Sequence, residues 1–182
     1  MRDKTANINN LRILHSKESS FMFRKIIPVI LFVFASNFAF SQSVLADKKI
    51  APFQIKLTNG QQYTASQLAA GPVVLIYFSP DCEHCQDFTK DMLKNYSVFA
   101  NKQVVMVTFQ SMEMLKPFVA QHKLSTYPNI KVGTEGYSYT VQRYYQIKSF
   151  PYIAIYNKAG KLVQTFEGEQ PHQNIFNALK KI

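Results

Sequence analysis

Residues 73–85 run Val73-Val74-Leu75-Ile76-Tyr77-Phe78-Ser79-Pro80-Asp81-Cys82-Glu83-His84-Cys85. The apolar run from Val73 to Phe78 is too short for a helix and has no polar alternation, which suits a central strand covered on both faces. Ser79-Pro80-Asp81 ends it, since proline fixes φ and removes a backbone donor. Beyond that point Cys85, Phe88, Met92, Tyr96 and Phe99 recur every three or four residues, the period of an amphipathic helix. Both cysteines therefore fall on the first turn of a helix that follows a buried strand.

The same alternation extends in both directions. Upstream, Phe53, Ile55 and Leu57 alternate with polar neighbours, and Asn59-Gly60 marks a tight turn before Gln61 to Thr64. Ser66 to Ala70 has the pattern of a short helix closed by Gly71-Pro72. Downstream, Val104 to Val107 predicts a second buried strand, and Met112 to His122 a second helix with Met114, Leu115 and Phe118 on its apolar face. Tyr152 to Tyr156 and Leu162 to Phe166 flank Asn157-Lys158-Ala159-Gly160 as a hairpin. From Pro171 a last helix buries Ile175, Phe176, Leu179 and Ile182. Strands alternating with helices predict an α/β domain with a central sheet.

The 182 residues are about the size of one domain, and 15 Phe and 10 Tyr supply a substantial core. The formal charge of +10 raises nucleic acid as a partner, but residues 1–41 alone hold a net +4 and the other basic residues are scattered. Without an Arg-rich helix or an RNA-binding signature, nucleic acid is not expected as a partner. Arg24-Lys25, the apolar run Ile26 to Phe40 and the small-residue site Ala39-Phe40-Ser41 have the layout of a secretory signal, too short and too interrupted for a spanning helix. The expected organisation is an N-terminal extension and cleaved signal over 1–41, a flexible linker over 42–50 and one domain over 51–182. The long polar stretch before the signal makes Met22 a candidate start. The expected location is the periplasm or cell envelope.

A sulfur at a helix N-terminus faces unpaired backbone N–H groups and the positive end of the helix dipole, which favours thiolate over thiol. Cys82 holds that position, and Cys85 lies three residues on, within reach on the same turn. His84, if protonated, stabilises a thiolate beside it and is the residue expected to tune the acidity of the pair, whereas Asp81 and Glu83 oppose this if close. Asp81 is the expected helix N-cap and Glu83 a solvated first-turn carboxylate. His122 and His172 are expected at the surface. A permanent bridge between Cys82 and Cys85 would close so small a loop that it stabilises little. A metal site on Cys82, His84 and Cys85 lacks a second ligand pair, so no metal and no cofactor are expected.

Over roughly residues 50–182 the chain resembles thioredoxin-like proteins, in particular exported thiol-disulfide oxidoreductases of the TlpA type. The resemblance rests on the lead-in hairpin, the strand ending in Ser79-Pro80-Asp81 before Cys82-Glu83-His84-Cys85, Phe150-Pro151 ahead of a strand, and the closing hairpin with its terminal helix. It implies a thioredoxin-like fold: a central mixed sheet flanked by helices, with an N-terminal β-hairpin and an insertion before the cis-proline strand. It also implies that Cys82 attacks a partner disulfide, that Cys85 resolves the mixed disulfide, and that Phe150 and a cis Pro151 face the dithiol and bind substrate. The implied partners are protein thiols or disulfides, met by a monomer that touches the membrane only through an upstream redox partner. A non-catalytic binding module or metallochaperone using the same cysteines stays open, as does a peroxidase, for which Ser79 is a weak match to the expected Thr.

Two departures from the family stand out. Ile76 occupies the strand position where thioredoxin has a buried acid, so proton transfer to the resolving thiol must use water or another group. Cys85 and Pro151 are 66 positions apart, longer than in thioredoxin, which places an insertion around Ser125 to Tyr145. Its Tyr127, Tyr137, Tyr139, Tyr144 and Tyr145 suit either a contact face or a satellite core.

Overall fold

The computed structural model describes residues 48–182, so the segment 24–41, most of the linker and the choice between Met1 and Met22 lie outside the described residues. Seven strands form one mixed sheet: β1 Gln54–Leu57, β2 Gln62–Thr64, β3 Val73–Tyr77, β4 Gln103–Thr108, β5 Ile130–Thr134, β6 Tyr152–Tyr156 and β7 Leu162–Glu167. Their spatial order is β2-β1-β5-β4-β3-β6-β7. β3, β4 and β5 run parallel, while β6 returns antiparallel to β3 and carries β7 on its outer edge. Among the described residues four α-helices accompany them: α1 Glu83–Lys94, α2 Met112–Gln121, α3 Thr140–Tyr145 and α4 His172–Leu179. The α/β class, the central mixed sheet, the leading hairpin and the closing hairpin with its helix all match the sequence reading.

Strand β3 is buried at every residue because each face of the sheet is covered. Val74, Ile76 and Phe78 point to one side, where α1, α2 and α4 bring Phe88, Met92, Leu115, Phe118, Ile175 and Leu179. Val73, Leu75 and Tyr77 point to the other, where Phe53, Val141 and Tyr145 close the core. The two-residue period of the strand thus distributes one apolar run between two cores. At about 1.5–3 kcal/mol for each fully buried large apolar side chain, both faces contribute heavily to folding.

The insertion holds more order than its polar composition suggests. It contains β5, which pairs parallel with β4 and antiparallel with β1, so it joins the leading hairpin to the sheet. Gly133 is the register partner of Leu57 in β1, and a Cβ there would lie 2.8 Å from the Lys56 carbonyl oxygen and 3.0 Å from Ile55 Cβ. Its tyrosines divide between roles, with Tyr145 buried in the core and Tyr137 88% exposed.

Several expectations need correction. Ser66 to Ala70 forms no α-helix, only a 3-10 turn at Ala65–Gln67. The dithiol helix stops at Lys94, and Tyr96–Val98 is a separate 3-10 turn. Met114 is 37% exposed, because the buried stripe of α2 runs through Leu115, Phe118 and Val119 and Met114 lies one helical step to its side. His122 is buried at 8% exposure with its ring 4.6 Å from Phe118, and His172 is half-buried, pairing with Asp91 at 2.8 Å.

Candidate active site

Cys82 is the N-cap of α1 and uses its own sulfur for the purpose: the Cys85 amide donates to Cys82 Sγ at 3.4 Å. Asp81 was the expected cap. Instead it accepts a hydrogen bond from the Ser79 hydroxyl, which in turn accepts from Gln110 Nε2 at 3.2 Å. With the Asp81 carboxylate engaged upstream, the free N–H of the first turn is left to the sulfur. That is the contact by which a helix N-terminus stabilises an anionic sulfur. The turn is braced further by Gln86 Nε2 donating to the Pro80 carbonyl at 3.0 Å and by the Cys82 amide donating to the Ser79 carbonyl at 3.2 Å.

The two thiols sit in different surroundings. Cys82 is partly exposed, whereas Cys85 is buried at 1% exposure among Phe88, Met92 and Ile76. Burial pushes the Cys85 thiol well above its ordinary range; the hydrogen bond with Cys82 and the nearby charges of Cys82 and Asp81 push the same way, while the Ser79 backbone offsets them in part. Cys85 therefore keeps its proton while Cys82 is free to react. Ile76 is fully buried in the same cluster, so the strand offers hydrocarbon where an acid would take that proton.

The Phe150–Pro151 peptide is cis. Pro151 and His84 line one open groove of about 560 Å³ beside the dithiol helix, together with Phe88, Gly168, Glu169 and Pro171. His84 Nε2 lies 3.9 Å from Glu169 Oε2 across that groove, with both side chains largely exposed. Phe150 turns its ring inward instead, 5.8 Å from each of Tyr77 and Phe109. The fold thus gathers Cys82, Cys85, His84 and Pro151 at one end of the sheet, with the Phe150 ring packed against Tyr77 and Phe109.

Glu167 and Glu169 are absent from the sequence reading of the site. No local signal marks them: they lie more than eighty positions after Cys82 at the end of a hairpin, and only the antiparallel return of β7 along β6 brings Glu169 to the groove and Glu167 to the loop before Pro151.

Comparison with known proteins agrees with this fold. The thioredoxin-like domain model matches residues 60–182. Among solved structures, the chain is similar to a secreted disulfide oxidoreductase of Mycobacterium tuberculosis, itself homologous to Escherichia coli DsbE, at 13% identity, over 72% of this chain and 96% of that one, with a TM-score of 0.61. It is similar to the thioredoxin domain of a thiol-disulfide oxidoreductase from Bacteroides vulgatus at 18% identity, over 75% and 96% of the two chains, with a TM-score of 0.63. It is also similar to a peroxidoxin of Mycobacterium tuberculosis at 14% identity, over 75% and 97%, with a TM-score of 0.60. No curated protein matches the sequence. At such identities the solved structures speak for the fold.

Proposed function

We propose that this chain, which belongs to the thioredoxin-like domain family, is an exported thiol-disulfide oxidoreductase that exchanges disulfides with protein partners through Cys82 and Cys85. The observation that carries this reading is the asymmetry of the pair: a partly exposed sulfur accepting a helix N–H, with a buried thiol one turn behind it whose burial disfavours the thiolate. In one direction the Cys82 thiolate attacks a partner disulfide, forming a mixed disulfide and releasing one partner thiolate. Cys85 then loses its proton to water or the leaving thiolate and attacks Cys82 Sγ, releasing the second partner thiolate. Two electrons pass to the partner and Cys82–Cys85 becomes a disulfide; the reverse sequence oxidises a dithiol. The groove beside Pro151 offers room for the polypeptide around the partner's cysteine. Export rests on Arg24-Lys25, the apolar run and Ala39-Phe40-Ser41.

Trapping tests the roles. Cys85→Ser is expected to accumulate a mixed disulfide with the natural partner, while Cys82→Ser yields none and loses exchange altogether. Equal trapping by both variants, or a tight metal complex without exchange, overturns the assignment. The reduction potential then sets the direction: a value near about −120 mV marks an oxidant, and one below about −250 mV a reductant.

A further inference from the structure

The loop that carries Phe150 and Pro151 is held by residues from the far end of the closing hairpin. Lys148 and Ser149 have exposed backbone amides ahead of β6, and both donate to one atom, Glu167 Oε1, at 2.5 and 2.9 Å. Glu167 is the last residue of β7 and the register partner of Tyr152, which directly follows Pro151. The next residue, Gly168, donates its amide to the Pro151 carbonyl at 3.0 Å. Gly168 has φ +70°, a conformation strained for any side chain, and a Cβ there would stand 3.3 Å from Ser149 Cβ and press on the loop. Glu169 then faces His84 across the groove. Three consecutive residues therefore span from the loop before the proline to the dithiol helix.

Building on the oxidoreductase reading, we propose that Glu167 is a positioning residue that holds the loop before Pro151, and with it the Pro151 wall of the groove, in the form a protein partner meets. Two N–H donors converging on one carboxylate are charge-assisted hydrogen bonds, stronger and shorter than neutral ones. Lys148 and Ser149 are outside the strand ladder, so without Glu167 their amides turn to water and the loop gains conformers. A protein that lays its backbone along this wall must then supply the lost order as part of binding. A small disulfide that touches only Cys82 Sγ does not. The signature is therefore selective: exchange with proteins slows while the intrinsic reactivity of the dithiol stays.

The test uses the reduced protein with two probes, the disulfides of insulin and the small aromatic disulfide 5,5′-dithiobis(2-nitrobenzoate). Glu167→Ala is expected to slow insulin reduction about tenfold, equivalent to about 1.4 kcal/mol, while the rate with the small disulfide and the dithiol potential stay within about twofold of wild type. Glu167→Gln keeps a side-chain oxygen acceptor and should recover most of the loss. Should Glu167→Ala fail to fold, Gly168→Ala disturbs the same wall from the neighbouring residue and must show the same split between probes. Equal slowing with both probes, a shifted potential, or no change with either overturns the proposal. Wild-type protein inert toward both probes would instead strike the oxidoreductase reading, which separates the two failures.

Discussion

On the dithiol face of the sheet, Val74, Ile76, Val104, Met106, Ile153 and Ile155 meet the helices with hydrocarbon, and Cys85 is packed into that layer. On the opposite face the same strands present Tyr77, Tyr152 and Tyr156 beside Tyr145, and hydroxyl groups enter the core with them. Each needs a partner. Tyr77 donates to Glu135 Oε1 at 2.8 Å, the Tyr145 and Tyr156 hydroxyls meet at 2.7 Å, and the Ala51 amide donates to Tyr145 at 3.0 Å. The carboxylate of Glu135, itself buried, also accepts the Val141 amide at 2.9 Å and so anchors α3. One face is stabilised by filled volume, the other by volume plus hydrogen bonds to the hydroxyls of Tyr77, Tyr145 and Tyr156. The sheet also keeps Glu135 and these phenols on the side away from Cys85, which is why the buried thiol has hydrocarbon for neighbours and holds its proton.

The largest expected effect lies on the hydrocarbon face. Phe88 is 1% exposed, packs between β3 and α4, and meets the His172 ring edge-on at 5.3 Å. Phe88→Ala removes the transfer free energy of the ring and leaves a cavity, a loss of about 3–5 kcal/mol. Against a total stability of about 5–15 kcal/mol, that loss is visible in a urea titration as a lower midpoint at unchanged slope. A loss below about 1 kcal/mol would show that this face contributes far less than its burial implies.

The phenolic face breaks differently. Tyr77→Phe conserves volume and deletes one hydroxyl, leaving Glu135 Oε1 buried without its donor, so a loss of about 1–3 kcal/mol is expected. Because the sheet separates this site from the thiols, the rate of exchange at Cys82 should be unchanged in the same variant. Replacing both partners, as in Tyr77→Phe with Glu135→Leu, removes the unpaired acceptor but leaves the Val141 amide without its partner, so only part of the stability should return. A double variant less stable than the sum of its parts would mean that Glu135 acts chiefly as the anchor of α3.

The face division was partly legible in the sequence. The run Val73 to Phe78, the cysteine spacing, Phe150-Pro151 and the closing hairpin are local patterns with local causes, and they place the dithiol helix and its strand. Strand β5 was not legible, because Lys131 and Gly133 interrupt its apolar residues and its order depends on β1 docking over Gly133. The cap of α1 depends on a competition: Asp81 is the stronger capping type, but Ser79 engages it, and the sulfur takes the amide. Glu169 reaches the groove, and Glu167 the loop before Pro151, through strand register alone, which no pattern within a few residues records.

The smallest expected effect concerns the exception within the hydrocarbon face. His122 follows α2, meets the Phe118 ring at a tilt and has no hydrogen-bond partner for Nε2 among the described residues. Burial lowers its proton affinity below the ordinary value of 6.5, and the Lys90 ammonium adds to that. A histidine whose folded-state pKa is depressed binds fewer protons when folded than when unfolded, so stability rises with pH across that interval. The stabilising contribution is complete above pH 6.5 and is lost as pH falls below it toward the folded-state value. Asp87, Asp91 and Glu113 are also held below their ordinary carboxylate values, but their contributions are lost only at lower pH, so the two windows separate. Urea titrations of wild type between about pH 7 and 5 should therefore show a gradual decline that His122→Leu flattens, because leucine keeps the contact with Phe118 and removes the group that must take up a proton. Parallel declines in both proteins would place the titrating group elsewhere and leave His122 as an aromatic filler of the same face.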